Sequence, residues 1–485
     1  MVFSSITFLF LFLPATLVAY HLLPRLTRNA FLVAVSLLFY TWGAGWVVLV
    51  LIASIAWNFV IGGRIERSTD RGDRAAARRY LAIGVIVNVA ALVWFKYINF
   101  GVDQADVLLD WLGLPAIPWS EVLLPIGISF YTFHSLSFLI DVYRGTARHL
   151  VSPIDFALYI AFFPQLIAGP IVRFHEIRDQ LVRRTETADQ FATGVLRFAH
   201  GLGKKVLIAD TVAPVADAVF AAPTDALGTS AAILGTVAFA IQLYFDFSGY
   251  SDMAIGIALM FGIRLPENFA RPYSSASITE FWRRWHMSLS RWFRDYLYIP
   301  LGGNRGSAAQ TYRNLVIVFL IVGLWHGAAW TFVVWGLFHG VLLLAERALG
   351  IGRDRGEERV ETGSARALAH GLARARTLIL VMLGWVLFRS IGLPEAIGVY
   401  EALLRPDIPL TPRVVLALDP MAAIALGVGV LTFLLPTSWV TGVRLQVDRS
   451  LPAGGLRLAE LGLVLPIALL VAAAGGFSPF LYFQF

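Results

Sequence analysis

Apolar residues along this chain gather into several uncharged stretches of about 18 residues or more, the length that crosses the hydrocarbon core of a bilayer. These stretches recur from Ile6 to Phe485 with no long hydrophilic block between them, so the pattern predicts a single polytopic membrane domain over residues 1–485. Residues 1–22 carry Pro14 inside the apolar run and lack a basic leading segment, and they read as a retained first span. Basic residues crowd into a few loops: Arg25 and Arg28, Arg64 to Arg79, 173–205, 264–313, 347–376, and Arg444 to Arg457. The positive-inside rule makes these loops cytoplasmic. Residues 101–120, with Asp103, Asp106 and Asp110 and no basic residue, then lie outside together with about 395–420, and so does the N-terminus.

Two segments break simple alternation. Residues 153–171 (PIDFALYIAFFPQLIAGPI) have arginines on both flanks, and Pro164 with Gly169-Pro170 supplies the breaks that a re-entrant hairpin needs. Residues 314–346 contain no Lys, Arg or Asp, and their only acid is the last residue, Glu346. At 1.5 Å per residue this run is too long for one upright span and too short for two generous ones with a loop. A hairpin or a broken helix turning near His326-Gly327 satisfies both limits and puts His326 at depth. A third segment, residues 277–306, opens with a Ser277/Glu280 capping box. Its arginines fall on one helical arc, and Trp282, Trp285, Leu289, Trp292, Phe293 and Tyr296 fall on the other. That pattern predicts one helix lying in the cytoplasmic interface, ended by Pro300 and Gly302-Gly303.

Composition narrows the chemistry. The chain is 58% hydrophobic and 15% charged, and its net charge of +7 rests on 36 Arg and 3 Lys, an excess that reports membrane orientation rather than a nucleic-acid partner. The absence of Cys excludes disulfides, thiolate metal sites and a cysteinyl thioester intermediate, and no metal centre is expected. No GxxxxGK, GxGxxG, HExxH or GxSxG pattern appears.

His326 is an ionisable group placed where charge is penalised, so it reads as a neutral imidazole able to accept a proton from a hydroxyl. A histidine that only hydrogen-bonds a neighbouring helix is the alternative. His286 is a second candidate, set against a residue of the interfacial belt reaching toward water. His134 and His339 read as packed polar residues. Asp246 and Asp252 in YFDFSGYSD read as hydrogen-bonding groups around Ser248-Gly249, with a polar pathway or a cation site as the other possibility. Lys204, Lys205 and the turn Gly302-Gly303-Asn304-Arg305 are candidates for holding the phosphates of a cytosolic cofactor.

LPIGISFYTFHSLSFLIDVYRG (124–145), FPQLIAGPIVRF (163–174), YFDFSGYSDMAIGIALMFGIRLPENFARPY (244–273), FWRRWHMSLSRWFRDYLYIPLGGNRG (281–306), GLWHGAAWTFVVWGLFHG (323–340) and the terminal FLYFQF together closely resemble the membrane-bound O-acyltransferase (MBOAT) family, in its alginate O-acetylation branch. The resemblance implies an all-α membrane fold of roughly ten to twelve transmembrane helices plus re-entrant and interfacial helices. It also implies that His326 matches the family's intramembrane active-site histidine and His286 its second functional histidine.

On that resemblance the chain is an O-acetyltransferase of the bacterial inner membrane. It moves acetyl groups from a cytosolic donor, acetyl-CoA, for O-acetylation of an exported polysaccharide, with alginate first among the candidates. No cofactor is permanently bound. A polyanionic donor inside and a polymer outside cannot cross about 30 Å of hydrocarbon, so catalysis where two aqueous funnels meet calls for a buried base. His326 would be that base, and His286 or Asn304 would stabilise the oxyanion. Lys204, Lys205, Arg284, Arg291 and Arg305 would meet the donor's phosphates. The acceptor would be the polymer or a serine of a periplasmic acetyltransferase partner. Competing readings are a relative acting on cellulose, peptidoglycan or teichoic acid, and a non-enzymatic acyl or ion transporter with His326 as proton relay. The lack of similarity between residues 1–240 and 241–485 weighs against the transporter.

Overall fold

The computed structural model describes residues 2–351, 364–406, 408–435, 454–475 and 480–481. Arg353, together with Arg444 and Arg449 of the last basic cluster and most of the terminal FLYFQF, lies outside the described residues. The described chain is helical, and no strand occurs among its elements. Among the described residues, seven helical segments are long and apolar enough to cross a membrane, and Phe8–Leu22 and Pro420–Leu434 are shorter apolar helices. The fold is therefore the multi-pass membrane class that the hydropathy pattern predicts, and it is all-α as the family resemblance implies.

The chain folds as two compact units. The first comprises Met1–Phe198 and Met253–Pro266. Its helices are α1 (Leu13–Leu22), α2 (Arg28–Ala44), α3 (Val48–Asp70), α4 (Arg74–Trp111), α5 (Ile128–Arg144), α6 (Pro153–Ala161), α7 (Phe163–Leu166) and α8 (Phe174–Val182). α3 and α4 form a hairpin whose tight turn uses Gly72 at φ 75°, and Asp73 caps α4 by accepting from the Ala76 amide. Asn58 and Asn88 exchange amide hydrogen bonds of 3.1 and 2.7 Å between the two helices, the kind of polar pair that joins helices where lipid offers no hydrophobic drive. Residues 253–266 return to this unit. The Tyr20 hydroxyl donates to the Glu186 carboxylate and lies 3.2 Å from the Phe261 carbonyl oxygen, and the rings of Tyr20 and Phe261 meet edge-on at 4.9 Å.

The expected break in 153–171 is present, one residue before the Phe163-Pro164 pair. Phe162 is extended (ψ 111°) between α6 and α7, and Pro164 falls in the first turn of α7, where its missing N–H leaves no helical hydrogen bond unmade. At about 13 Å, α6 is too short to cross a bilayer. Its irregular backbone is buried and partnered: the Tyr159 hydroxyl donates to the Val172 carbonyl at 3.0 Å, and the Val172 amide donates to His134 Nε2 at 3.2 Å. His134 is thus the packed polar residue that the sequence suggested.

The second unit comprises Ala199–Asp252 and Glu267–Phe485. α9 (Ala188–Gly203) and α11 (Thr229–Met260) each contribute to both units, and α10 (Asp210–Phe220) lies in the second. Next come α12 (Ile278–Arg284), α13 (Met287–Phe293), α14 (Ala308–His326), α15 (Trp330–Ala348) and α16 (Ser364–Arg389). α14 and α15 are the predicted hairpin, and they turn at Gly327. Their backbones approach closely because both facing positions are glycine: a Cβ on Gly323 would lie 2.3 Å from the Phe332 carbonyl oxygen, and one on Gly336 would lie 2.4 Å from that of Phe319.

Two expectations are corrected here. The hairpin is longer than a short re-entrant loop, because both helices run on into the charged flanks. Each has 19 residues, about 28 Å, so the turn lies about the thickness of a bilayer core away from the Arg-rich ends. The interfacial helix of 277–300 is not continuous either. It starts at Ser277, whose side chain accepts from the Glu280 amide, but it breaks after Arg284 and restarts at Met287. Its aromatic arc faces protein, with Trp285 3% and Phe293 3% exposed, and not the headgroup layer.

Candidate active site

The corner between α12 and α13 is occupied by His286, which adopts the left-handed region at φ 44°, one of two non-glycine residues to do so among those described. A short extended strip holds the corner: the Ala270 amide donates to the Arg284 carbonyl and the Met287 amide to the Asn268 carbonyl, each at 2.9 Å. Asn268 Oδ1 lies 3.2 Å from the Ser288 amide, 2.9 Å from the Ser288 hydroxyl and 3.1 Å from His286 Nδ1. A backbone N–H can only donate, so the atom it faces is the amide oxygen. His286 must then carry its proton on Nδ1, which leaves Nε2 as a lone-pair acceptor. His286 Nε2 is buried and has no hydrogen-bond partner among the described residues. Burial pushes the pKa of this ring down to about 3, so it is neutral near pH 7.

The tautomer changes the role expected of His286. A neutral ring with a bare Nε2 cannot donate to an oxyanion. It can accept from a substrate O–H or N–H. Nor does His286 reach toward water, since its side chain is fully buried against Phe247, with ring centres 4.7 Å apart and planes nearly perpendicular.

His326 ends α14, and its ring packs edge-on against Trp325 (4.8 Å), Trp335 (5.0 Å) and Phe388 (5.2 Å). Trp325 also meets His286 at 6.0 Å, so the two imidazole centres lie within about 11 Å of each other, the most that 6.0 and 4.8 Å together allow. The turn after His326 needs a glycine for space rather than for φ, because a Cβ on Gly327 would lie 2.1 Å from the Phe332 ring. Against the His326 ring the described residues form a cavity of about 10 Å³, walled by Leu243, Phe247, Trp285, Trp335, Trp385 and Phe388. The imidazole is 5% exposed. At about 10 Å³ this cavity is not the wide meeting point of two aqueous funnels expected from the sequence. Trp335 Nε1 in its wall has no partner among the described residues.

A larger groove of about 540 Å³ lies between α12–α13 and the hairpin. Arg283, Arg291 and Arg294 line it together with apolar side chains of α14 that include Val318 and Val322, the latter one helical turn before His326. Of the six residues expected to bind a donor, only Arg291 lines this groove. Lys205 is buried and bridges Asp246 at 2.9 Å and Asp210 at 2.7 Å, and Lys204 pairs with Asp252 at 2.6 Å. The lysines and aspartates that the sequence treated separately are therefore each other's partners, and the Leu481 amide adds a 2.7 Å bond to Asp246. Arg284 pairs with Glu280 at 2.5 Å and donates to the Ser274 hydroxyl. Asn304 and Arg305 sit on an exposed turn, where Asn304 accepts from Tyr298 and from Arg347 near the end of α15. Asn304 is thus at the open end of the hairpin and His326 at the closed end, which removes Asn304 as an oxyanion donor to chemistry at His326.

Two residues of this assembly were not singled out from the sequence. One is Asn268 in PENF, 18 residues before His286. The other is Glu346, whose carboxylate accepts from the Ile278 amide (2.6 Å), the Thr279 amide (2.9 Å) and the Thr279 hydroxyl (2.8 Å), and so caps α12. The signal for Glu346 was its position as the one acid in an otherwise uncharged run. His339 is buried between Trp335 and Phe281 and is a packed residue, as expected.

Comparison with known proteins gives the assembly its family. The model of the membrane-bound O-acyltransferase family (MBOAT) matches residues 17–354. Probable alginate O-acetylase AlgI of Pseudomonas putida is 45% identical over 503 residues, covering 100% of both chains. The protein of the same name from Pseudomonas aeruginosa is 49% identical over 403 residues, covering 83% of this chain and 75% of its own. Peptidoglycan O-acetyltransferase of Helicobacter pylori is 37% identical over 437 residues, covering 83% and 80%. An acyltransferase family is at odds with a transporter that leaves the acyl group intact. The chain belongs to the membrane-bound O-acyltransferase family, and the hairpin that ends at His326 is part of a multi-pass membrane acyltransferase.

Proposed function

We propose that this acyltransferase takes acetyl from a cytosolic thioester, acetyl-CoA, and passes it to a hydroxyl destined for an exported polysaccharide, alginate, in the bacterial inner membrane. The observation that carries the proposal is the imidazole of His326 against a small aromatic cavity at the closed end of a hairpin whose open end is rich in arginine. The Arg-rich ends face the cytoplasm. The groove lined by Arg283, Arg291 and Arg294 receives the anionic part of the donor, and its apolar wall leads the acyl end along α14 toward His326.

His326 removes the proton from the acceptor hydroxyl, and the oxygen attacks the thioester carbonyl. The C–S bond breaks as the ester forms, and the proton leaves on the thiol. His286 Nε2 accepts a hydrogen bond from a substrate O–H or N–H and so fixes its position. The immediate acceptor is the polymer or a serine of a periplasmic partner. The names of the two Pseudomonas relatives support alginate as the polymer.

The test is transfer of labelled acetyl from acetyl-CoA by the purified full-length protein, with alginate oligosaccharide or peptidoglycan fragments as acceptor. His326→Ala should lower turnover about 10²- to 10⁴-fold, the range of a positioned base. Unchanged turnover in that variant would remove His326 from the chemistry, and preference for peptidoglycan would replace the polymer.

A further inference from the structure

The cavity against His326 suggests what it excludes. A volume of about 10 Å³ is on the scale of one water molecule's place in a protein interior, so a single methyl group fills it and little else enters. Part of its wall is held in place: Trp385 Nε1 donates to the Tyr273 hydroxyl at 3.0 Å, that hydroxyl donates to the Ala240 carbonyl at 3.0 Å, and Trp385 stacks on Trp335 at 6.0 Å. Leu243 on α11 and Phe388 on α16 are wall residues that carry no polar atom to anchor them.

We propose that this cavity seats the methyl group of the transferred acyl unit, and that Leu243 and Phe388 set the limit that restricts the donor to two carbons. The inference rests on the acyl-transfer reading above. A longer chain would have to displace packed rings, and one methylene in a close-fitting apolar pocket changes selectivity by about 10- to 200-fold. Shortening Leu243 or Phe388 opens space while Trp385 keeps its hydrogen bond, so the extra methylene gains a place without the loss of the fixed wall.

The experiment follows thiol release from acetyl-CoA, propionyl-CoA and butyryl-CoA by the purified full-length protein with alginate oligosaccharide present, and compares kcat/KM ratios, which general damage to catalysis does not move. The wild type should prefer acetyl to propionyl by about tenfold or more. Leu243→Ala and Phe388→Leu should each raise the propionyl-to-acetyl ratio about tenfold, whereas the volume-conserving Leu243→Met should leave it near the wild-type value. Wild-type protein that uses propionyl as readily as acetyl would overturn the inference. So would a ratio that stays within about twofold of wild type in both shortened variants while their thermal midpoints show them folded. In those cases acetyl transfer continues and the acyl-transfer reading survives, whereas no thiol release from acetyl-CoA by the wild type would defeat both.

Discussion

At the scale of single residues, the site turns on where protons can and cannot sit. Asn268 fixes the His286 tautomer through an oxygen that already receives two donors from Ser288. Asn268→Ala should therefore leave His286 free to adopt either tautomer, lower acetyl transfer about tenfold or more, and reduce stability by about 1–3 kcal/mol. Asn268→Asp keeps an acceptor at that place and should recover part of the transfer, which a purely structural role would not require. Because burial depresses the His286 pKa to about 3, the folded protein resists protonation that the unfolded chain accepts below the ordinary value of 6.5. Its contribution to stability is complete above pH 6.5 and is lost progressively as pH falls from 6.5 toward 3. The thermal midpoint of His286→Gln should consequently fall less between pH 7 and pH 4.5 than that of the wild type. Lys205 offers a contrasting case. Lys205→Ala strands the buried Asp246 carboxylate and should cost about 3–5 kcal/mol. A phosphate ligand would instead show a raised KM for acetyl-CoA with unchanged stability.

At the scale of elements, the hairpin and the broken helix place these residues. Gly336→Leu would drive a side chain into the Phe319 carbonyl, which is backbone and cannot yield. It should part α14 from α15, lower the thermal midpoint and abolish transfer together. Glu346→Ala should destabilise by about 1–2 kcal/mol by uncapping α12, with Glu346→Gln in between. The hairpin turn at His326-Gly327, the break near Pro164 and the start of α12 at Ser277 were all legible, because proline, glycine and capping residues act locally. The break at His286 was not. Its cause is Asn268, held in a separate strip of chain, and no periodicity within FWRRWHMSLSRW records it. The direction of the aromatic arc was also hidden, since a protein core and a lipid tail are equally apolar and one stripe suits both. The pairing of Lys204 with Asp252 joins residues 48 apart in sequence, beyond the reach of any spacing rule.

At the scale of the whole molecule, the orientation proposed from the charge pattern is open to direct test. The chain contains no Cys, so a single introduced thiol reports its own position alone. Arg305→Cys, on the exposed turn at the open end of the hairpin, should react with an impermeant maleimide in inverted vesicles and not in intact spheroplasts. The reverse pattern would turn the proposed topology over. The order of segments in the two units carries a different lesson. The backbone passes from one unit to the other after Phe198, returns after Asp252 and leaves again after Pro266. No single cut can free either unit whole: severed after Phe198, the leading fragment would lack the segment whose Phe261 seats Tyr20. Neither half could then be inherited, exchanged or produced as a separate gene product, so loss of one would take the other with it.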